Sequence, residues 1–261
     1  MKVYRLFCII LIILISLGFT CYGEEIQVIT EHSPPGEYID ETGRVTGPTA
    51  EMVRELMRRL NLSGDIKIYP WKRAYNMALT NRRVALFETT RTEERENLFK
   101  WVGPIKRIRW GLYAKKDLKI RLKILEEAKK VEKICAYLGD SKGDYLKKQG
   151  FTNLYQPVKQ ISCLRMLMRG RVTLWISSDI GHRPLLKEAG VDPSELELIY
   201  VMGTKYLYIA FSKDTPNEII KSWQKTLDEM KIDGTVAKYY KGTYPDEMIR
   251  VIGNPKEPLL P

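Results

Sequence analysis

The chain has 261 residues, 44% of them hydrophobic and 29% charged, and its 43 lysines and arginines outnumber 32 acids to give a net charge of +11. That length supports one large domain or two modest ones, each able to bury a core. The absence of a low-complexity segment or fixed-period repeat argues against a disordered or solenoid chain, and the basic residues are interleaved with acids, not gathered into a nucleic-acid patch.

Residues 1–23 read as a targeting segment. Lys2 and Arg5 form a charged start, Leu6 to Leu17 is almost wholly aliphatic, and Cys21-Tyr22-Gly23 puts small residues before a cut at Glu24. The apolar run is short for a membrane span, and Gly18 and Thr20 fit a lipoprotein anchor at Cys21 poorly. The expectation is export to the periplasm, leaving 41 basic residues against 32 acids. Cys8 and Cys21 depart with the segment. Cys135 and Cys163 remain, with no His or Cys at ligand spacing around them. In an exported chain a disulfide is expected, with two buried thiols as the alternative and no metal site.

Ile26 to Thr30 is the first strand. The loop Glu31-His32-Ser33-Pro34-Pro35-Gly36 follows, its prolines barring strand or helix. Glu31, His32 and Ser33 therefore project just past a strand's carboxyl end, where open α/β sheets bind ligands. After a turn at Tyr38 to Gly43, Pro48 opens a helix with an apolar face of Met52, Val53, Leu56, Met57 and Leu60. Ile66 to Tyr69 is a second strand. Trp71, Ala74, Tyr75, Ala78 and Leu79 repeat at helical spacing, and Val84-Ala85-Leu86-Phe87 suits a strand buried on both faces. The order β-loop-α-β-α-β implies a parallel sheet covered by helices.

Thr92 is a suitable N-cap, and Glu93 and Glu94 suit the positive end of a helix dipole. Arg95, also in the first turn, opposes that dipole. A guanidinium beside free backbone N–H groups makes an anion site, above all for a planar carboxylate. The alternative is a surface ion pair with Glu96 or Glu51.

The segment Thr92-Glu93-Glu94-Arg95-Glu96, followed by Phe99, Trp101 and Gly103-Pro104, resembles the signature of the family 3 extracellular solute-binding proteins, receptors of polar amino acid ABC transporters. Pro70-Trp71-Lys72-Arg73-Ala74 is similar to a subgroup of that family. The resemblance implies that Arg95 grips a ligand's α-carboxylate; Thr90 and Thr92 are expected to supply hydroxyl or backbone donors to the same anion, and Arg73, on the preceding helix, is a candidate second cation. It implies an α/β fold of the two-lobed periplasmic-binding-protein (Venus flytrap) type, with a two-strand hinge. The lobes would be 24–112 with 205–261, and 113–204.

Beyond this segment, Arg107 to Ala114 is extended, Leu118 to Val131 has a helical repeat, and Lys133 to Tyr137 is a strand. Leu138-Gly139-Asp140-Ser141-Lys142-Gly143 is a small-residue loop opening a helix from Asp144 to Lys148, without a Walker pattern. The matching family loop closes over the ligand, which makes Ser141 a candidate. Cys163 to Met168 is helical and Val172 to Ile176 is a strand. Where the family carries two aspartates, this chain has Thr173, and Ser178 and Asp179 are the nearest matches to the second. His182 and Arg183 are expected at the surface. Leu196 to Val201 and Tyr206 to Phe211 are strands around Gly203, and a long helix carries Ile219, Ile220, Trp223, Leu227 and Met230. The tail from Gly242 is expected on the surface.

The resulting expectation is a monomeric binding protein that captures a polar amino acid or similar small carboxylate and delivers it to an ABC permease. No cofactor, catalytic residue or nucleic-acid partner is expected. Trp71, Tyr75 and Trp101 offer rings to a ligand's apolar part. Two other readings stay open: a ligand-sensing subunit for a membrane receptor, and an enzyme on the same scaffold resembling cyclohexadienyl dehydratase. The enzyme would use Glu31, Glu88 or Asp179 as its acid or base.

Overall fold

The computed structural model describes residues 26–254; the targeting segment, Cys8, Cys21 and residues 255–261 lie outside the described residues. Its frame is one eight-stranded sheet in the order β4-β1-β5-β10-β6-β9-β7-β8, with β2 (Tyr38–Ile39) and β3 (Val45–Thr46) paired in a separate two-stranded sheet. On one side, β1 (Gln27–Thr30) lies parallel to both β4 (Lys67–Ile68) and β5 (Val84–Thr90). All seven residues of β5 are buried, as its unbroken apolar run predicts. On the other side, β9 (Leu174–Ser178), β7 (Ile134–Cys135) and β8 (Leu154–Tyr155) are parallel in turn.

Between the halves run β6 (Phe99–Lys115) and β10 (Leu196–Ser212), two antiparallel strands of 17 residues paired along their whole length. They are the hinge. Their register shifts between Leu198 and Tyr200, between Val201 and Gly203, and between Leu207 and Ile209. Such bulges bend a strand and raise its twist, which lets one sheet serve two lobes. The two strands expected at 196–201 and 206–211 are thus one strand running through Gly203.

Helices cover both faces. In lobe one, α1 (Pro48–Arg59) buries Met52, Val53, Leu56 and Met57 at 0–3% exposure, each burial contributing about 1.5–3 kcal/mol. They join Phe87, Phe211 and, from α7 (Asn217–Ile232), Trp223 in one core. The opposite face carries α2 (Trp71–Thr80), whose Trp71, Ala74 and Ala78 pack on Ile29, Leu86 and Ala210. The short α3 (Glu93–Glu96) follows β5. In lobe two, α4 (Ser141–Lys148) lies against Leu112, Ile134 and Ile176 through Leu146. The other face is covered by α5 (Gln160–Met168) and α6 (His182–Ala189), and there Cys135 and Cys163 form a disulfide between β7 and α5.

Three further expectations fail here. Leu118 to Val131 is not an α-helix but two 3₁₀ turns, Lys116–Leu118 and Leu125–Lys130. Only Leu125 and Ala128 of this stretch are buried while Leu118 and Ile124 are exposed, so no continuous helical face has a surface to cover. His182 is half-buried: Nδ1 meets the Ser178 carbonyl at 2.8 Å and its ring packs on Tyr113. Burial, the main cause, lowers its pKa. The segment after Gly242 also packs. After α8 (Thr235–Tyr240), α9 (Asp246–Gly253) buries Met248 and Ile252, with Tyr244 buried just before it.

Candidate functional site

Between the lobes lies a cavity of about 70 Å³. Lobe one supplies Glu31 and Ser33 from the loop after β1, Trp71 from α2, Glu88 and Thr90 from β5, and Arg95 from α3. Lobe two supplies Asp140, Ser141 and Lys142 at the start of α4, and Ser178 at the end of β9. The chain thus gathers residues from six separate segments at strand ends and helix starts, where an open sheet leaves backbone groups free.

The lobes are closed upon one another. Trp71 Nε1 donates to the Gly139 carbonyl at 2.7 Å, and Lys148 Nζ spans to Glu93 at 3.0 Å and Glu94 at 2.7 Å. The Trp71 bond ties α2 to the loop that opens α4. The Lys148 bonds tie α4 to the helical turn that carries Arg95.

Arg95 is 5% exposed. Its guanidinium packs over the Trp71 ring at 5.4 Å and the Tyr75 ring at 4.9 Å. Among the described residues it donates a long hydrogen bond from Nη1 to the Thr90 carbonyl at 3.5 Å, and the Tyr75 hydroxyl is a second hydrogen-bonding partner. The surface pairs that could have claimed it have other partners. Glu96 takes Arg91, and Glu51 takes Arg44 and Arg54.

The acids around the cavity fall into distinct states. Glu88 sits at φ 64° where β5 bulges: Leu86 pairs Ala210 and Thr89 pairs Tyr208, so Phe87 and Glu88 together oppose Ile209. A non-glycine residue in that conformation costs about 1–3 kcal/mol, strain that marks functional sites. The twist brings its carboxylate to Lys106, and both side chains are 5% exposed. Burial alone would lower the Lys106 pKa, but Glu88 holds it well above the ordinary value. Behind them Glu37 is fully buried with neither carboxylate oxygen hydrogen-bonded among the described residues. Burial first, and the Glu88 charge second, push its pKa well up. Asp140 caps α4, accepting from the Lys142 backbone at 2.9 Å and from Lys142 Nζ at 2.6 Å. Burial works to raise its pKa, yet Lys142 more than offsets this and the net shift is downward. Among the described residues Glu31 has no such ion pair: burial and then the Asp140 charge, only partly offset by Lys142 and Arg95, raise its pKa to about 8.

Eight of the eleven ligand-site candidates therefore meet at this cavity: Arg95, Thr90, Glu31, Ser33, Trp71, Glu88, Ser141 and Ser178. Three do not. Arg73 lies about 200° round the helix from Trp71, where it is exposed and packs over Tyr69 at 4.7 Å. Asp179 alternates to the opposite face of its strand end from Ser178, and accepts from Arg109 N at 2.9 Å and Arg109 Nε at 3.2 Å. Thr92 lines a neighbouring, larger cavity instead. Glu37, Lys106, Asp140 and Lys142 escaped the sequence reading. An Asp two residues before a Lys at a helix start is a cap-plus-pair signal that could have found the last two.

A profile of the bacterial extracellular solute-binding proteins, family 3, matches residues 26–244. The chain belongs to this family of solute-binding proteins. It is 24% identical over 216 residues to the L-cystine-binding protein TcyA of Bacillus subtilis (strain 168), covering 82% of this chain and 78% of that one. Among solved structures it is similar to a histidine kinase sensor domain described as resembling periplasmic binding proteins, with TM-score 0.77, 16% identity and coverage of 84% and 96%. It is also similar to an ancestral arginine-binding protein bound to arginine, with TM-score 0.72, 22% identity and coverage of 85% and 98%. These solute-binding proteins and their structural neighbours share the two-lobed fold. Among the described residues, no helix is long and apolar enough to cross a membrane.

Proposed function

We propose that the chain is an exported receptor that closes its two lobes around a small amino-acid-type carboxylate and presents the closed form to a membrane ABC permease. The observation that carries this reading is the buried Arg95 guanidinium, which among the described residues forms an ion pair with no carboxylate. A buried cation whose five N–H donors meet only the Thr90 carbonyl and the Tyr75 hydroxyl among the described residues is costly unless an anion completes it, and the cavity in front of it supplies the space. Thr90, Ser141 and Ser178 add short polar groups, Trp71 an aromatic wall, and Glu31 and Glu88 carboxylates for a ligand's polar or cationic part. The relatives that bind cystine and arginine support the ligand class. The lobes, 24–112 with 205–261 and 113–204, move as rigid bodies about β6 and β10, and a ligand favours closure by its differential affinity for the closed form. The protein acts as a monomer and binds its ligand without chemical conversion.

The sensor-domain likeness favours a second reading of the same site, in which the closed form is recognised by a membrane receptor instead of a permease. The test of binding is common to both. A thermal-shift screen of amino acids and small organic acids should find a ligand that raises Tm, because binding only to the native state stabilises it. A full screen without a shift, confirmed by calorimetry, would refute the reading.

A further inference from the structure

A groove of about 550 Å³ opens where the two lobes meet, and Pro34, Pro35 and Ile180 line both it and the Arg95 cavity as a common wall. Lobe one adds Tyr38 and Pro245, and α6 of lobe two adds Arg183, Pro184 and Lys187. Prolines carry no backbone N–H and have a fixed ring, so four of them make a stiff wall of carbon surface. Tyr38 adds an aromatic ring. The volume lies within the range of about 300–1,000 Å³ found for small-molecule sites, which favour junctions between domains and pair an apolar lining with a few polar groups.

The charge on this lining is of one sign. Arg183 and Lys187, four residues apart, share one face of α6. Among the described residues no carboxylate lines the groove, and neither cation forms an ion pair. The acids nearest along the chain are engaged elsewhere. Asp179 is held by Arg109 at 3.2 Å, Glu188 by Arg165 at 3.7 Å and Glu247 by Arg107 at 3.0 Å. Glu31 faces the Arg95 cavity, Glu37 is fully buried, and the exposed Asp246 starts α9 outside the groove. Arg183 and Lys187 are exposed, so water screens them until an occupant displaces it. An apolar trough edged by two uncompensated cations fits a molecule with an apolar body and one anionic end.

We infer that this groove is a second small-molecule site, which takes an aromatic or apolar carboxylate with its body on the prolines and Tyr38 and its anion at Arg183 and Lys187. One wall belongs to each lobe, so the complete groove exists only while the lobes are closed, and its occupant favours closure. By linkage, the occupant and the ligand of the Arg95 cavity raise each other's affinity by the same factor. This coupling rests on the proposed reading of the Arg95 cavity; binding in the groove itself does not.

The test removes charge and ring one at a time. The probes 3-phenylpropionate, 3-phenylpropionamide and propionate are titrated calorimetrically into the wild type, Arg183→Gln/Lys187→Gln and Arg95→Leu, each first shown to melt cooperatively. The wild type should bind 3-phenylpropionate about tenfold more tightly than the amide or propionate. The double variant should bind it about fivefold more weakly, the scale for an exposed charge contact, and bind the amide as the wild type does. Arg95→Leu should hold 3-phenylpropionate within about twofold of wild type, because the groove lies outside the Arg95 cavity. A saturating amino acid from the screen should raise the affinity of the wild type for the probe about threefold or more. Loss of the probe in Arg95→Leu would put it in the cleft and overturn the groove site, as would full affinity in the double variant or no binding at about 10 mM. Each of these leaves the Arg95 reading standing. A probe affinity that the cleft ligand does not change overturns the coupling. A screen that finds no amino acid counts against the Arg95 reading alone, since the probe still reports on the groove.

Discussion

Removing the Cys135–Cys163 disulfide should lower stability far more than it lowers ligand affinity. The bridge closes a loop of 28 residues. The chain-entropy relation then gives about 12 cal/mol/K, or about 3.5 kcal/mol at 25 °C, as an upper figure for its effect on the unfolded state. Both sulfurs are fully buried in the core where Leu164, Trp175 and Leu185 pack. A Cys135→Ala/Cys163→Ala variant therefore loses the cross-link and a little volume, and about 3 kcal/mol overall is expected. For a protein of this size that corresponds to a fall in Tm of about 6–12 °C. Cys135 ends β7, only a few residues before the Gly139 carbonyl that accepts from Trp71, so the bridge also steadies the loop that meets lobe one. Well below Tm, the strand and helix packing should hold that loop in place, and binding should stay within about threefold. Calorimetric melts of the wild type, the double variant and the wild type reduced in denaturant and refolded under reductant measure the effect. A double variant melting within 2 °C of wild type would refute the reasoning, since no entropy of that size could then reside in the cross-link.

Glu31 should make stability depend on pH. Its ordinary pKa of 4.5 rises to about 8 in the folded protein, so the folded chain keeps a proton that the unfolded chain gives up. The stability tied to this proton is complete below about pH 4.5, declines as pH rises, and is gone above about pH 8. Glu31→Gln should therefore gain in Tm over wild type across that window and run parallel to it above; a difference constant from pH 4 to 9 would contradict the assignment. Trp71→Phe removes the interlobe donor to Gly139, a bond of about 0.5–1.5 kcal/mol net, and should weaken binding of an amino acid found in the screen about two- to tenfold. Small-angle scattering of that variant with ligand should show a larger open fraction, and unchanged closure and affinity would argue against the contact. Lys148→Ala breaks two exposed ion pairs and should cost less than about 1 kcal/mol of closure, an effect that vanishes at high salt. A loss of affinity independent of salt would give Lys148 a different role.

Lobe one was legible because its signals are local. Pro48 and the Met52-Val53-Leu56-Met57 face mark α1, and the apolar run from Val84 marks β5 in a parallel sheet. Arg95 was legible as an oddity, a cation in an acidic first turn. The hinge was partly hidden, because Gly203 reads as a break while its φ of 120° only accommodates a bulge in a strand that continues. Glu37 could not be found: its isolation depends on Lys106 being drawn to Glu88, a contact set by the bulge in β5 and not by spacing along the chain. Ser178 and Asp179 stood as equal candidates until the strand end fixed which face each takes. The 3₁₀ turns after β6 show the same limit from the other side, since a helical repeat forms no helix where the fold offers no surface for its apolar face.

The central claim is that Arg95 receives the ligand's carboxylate. Arg95→Leu keeps much of the side-chain bulk under Trp71 and Tyr75 and removes the donors, so folding should stay near that of the wild type. Calorimetry with the amino acid identified by the screen should show affinity lost by about 2–4 kcal/mol, or about 30- to 1,000-fold, the scale for breaking one side of a buried charged contact. Arg95→Lys should recover only part, because a point charge cannot hold a carboxylate through two parallel hydrogen bonds. An Arg95→Leu protein that binds as tightly as wild type would contradict the account.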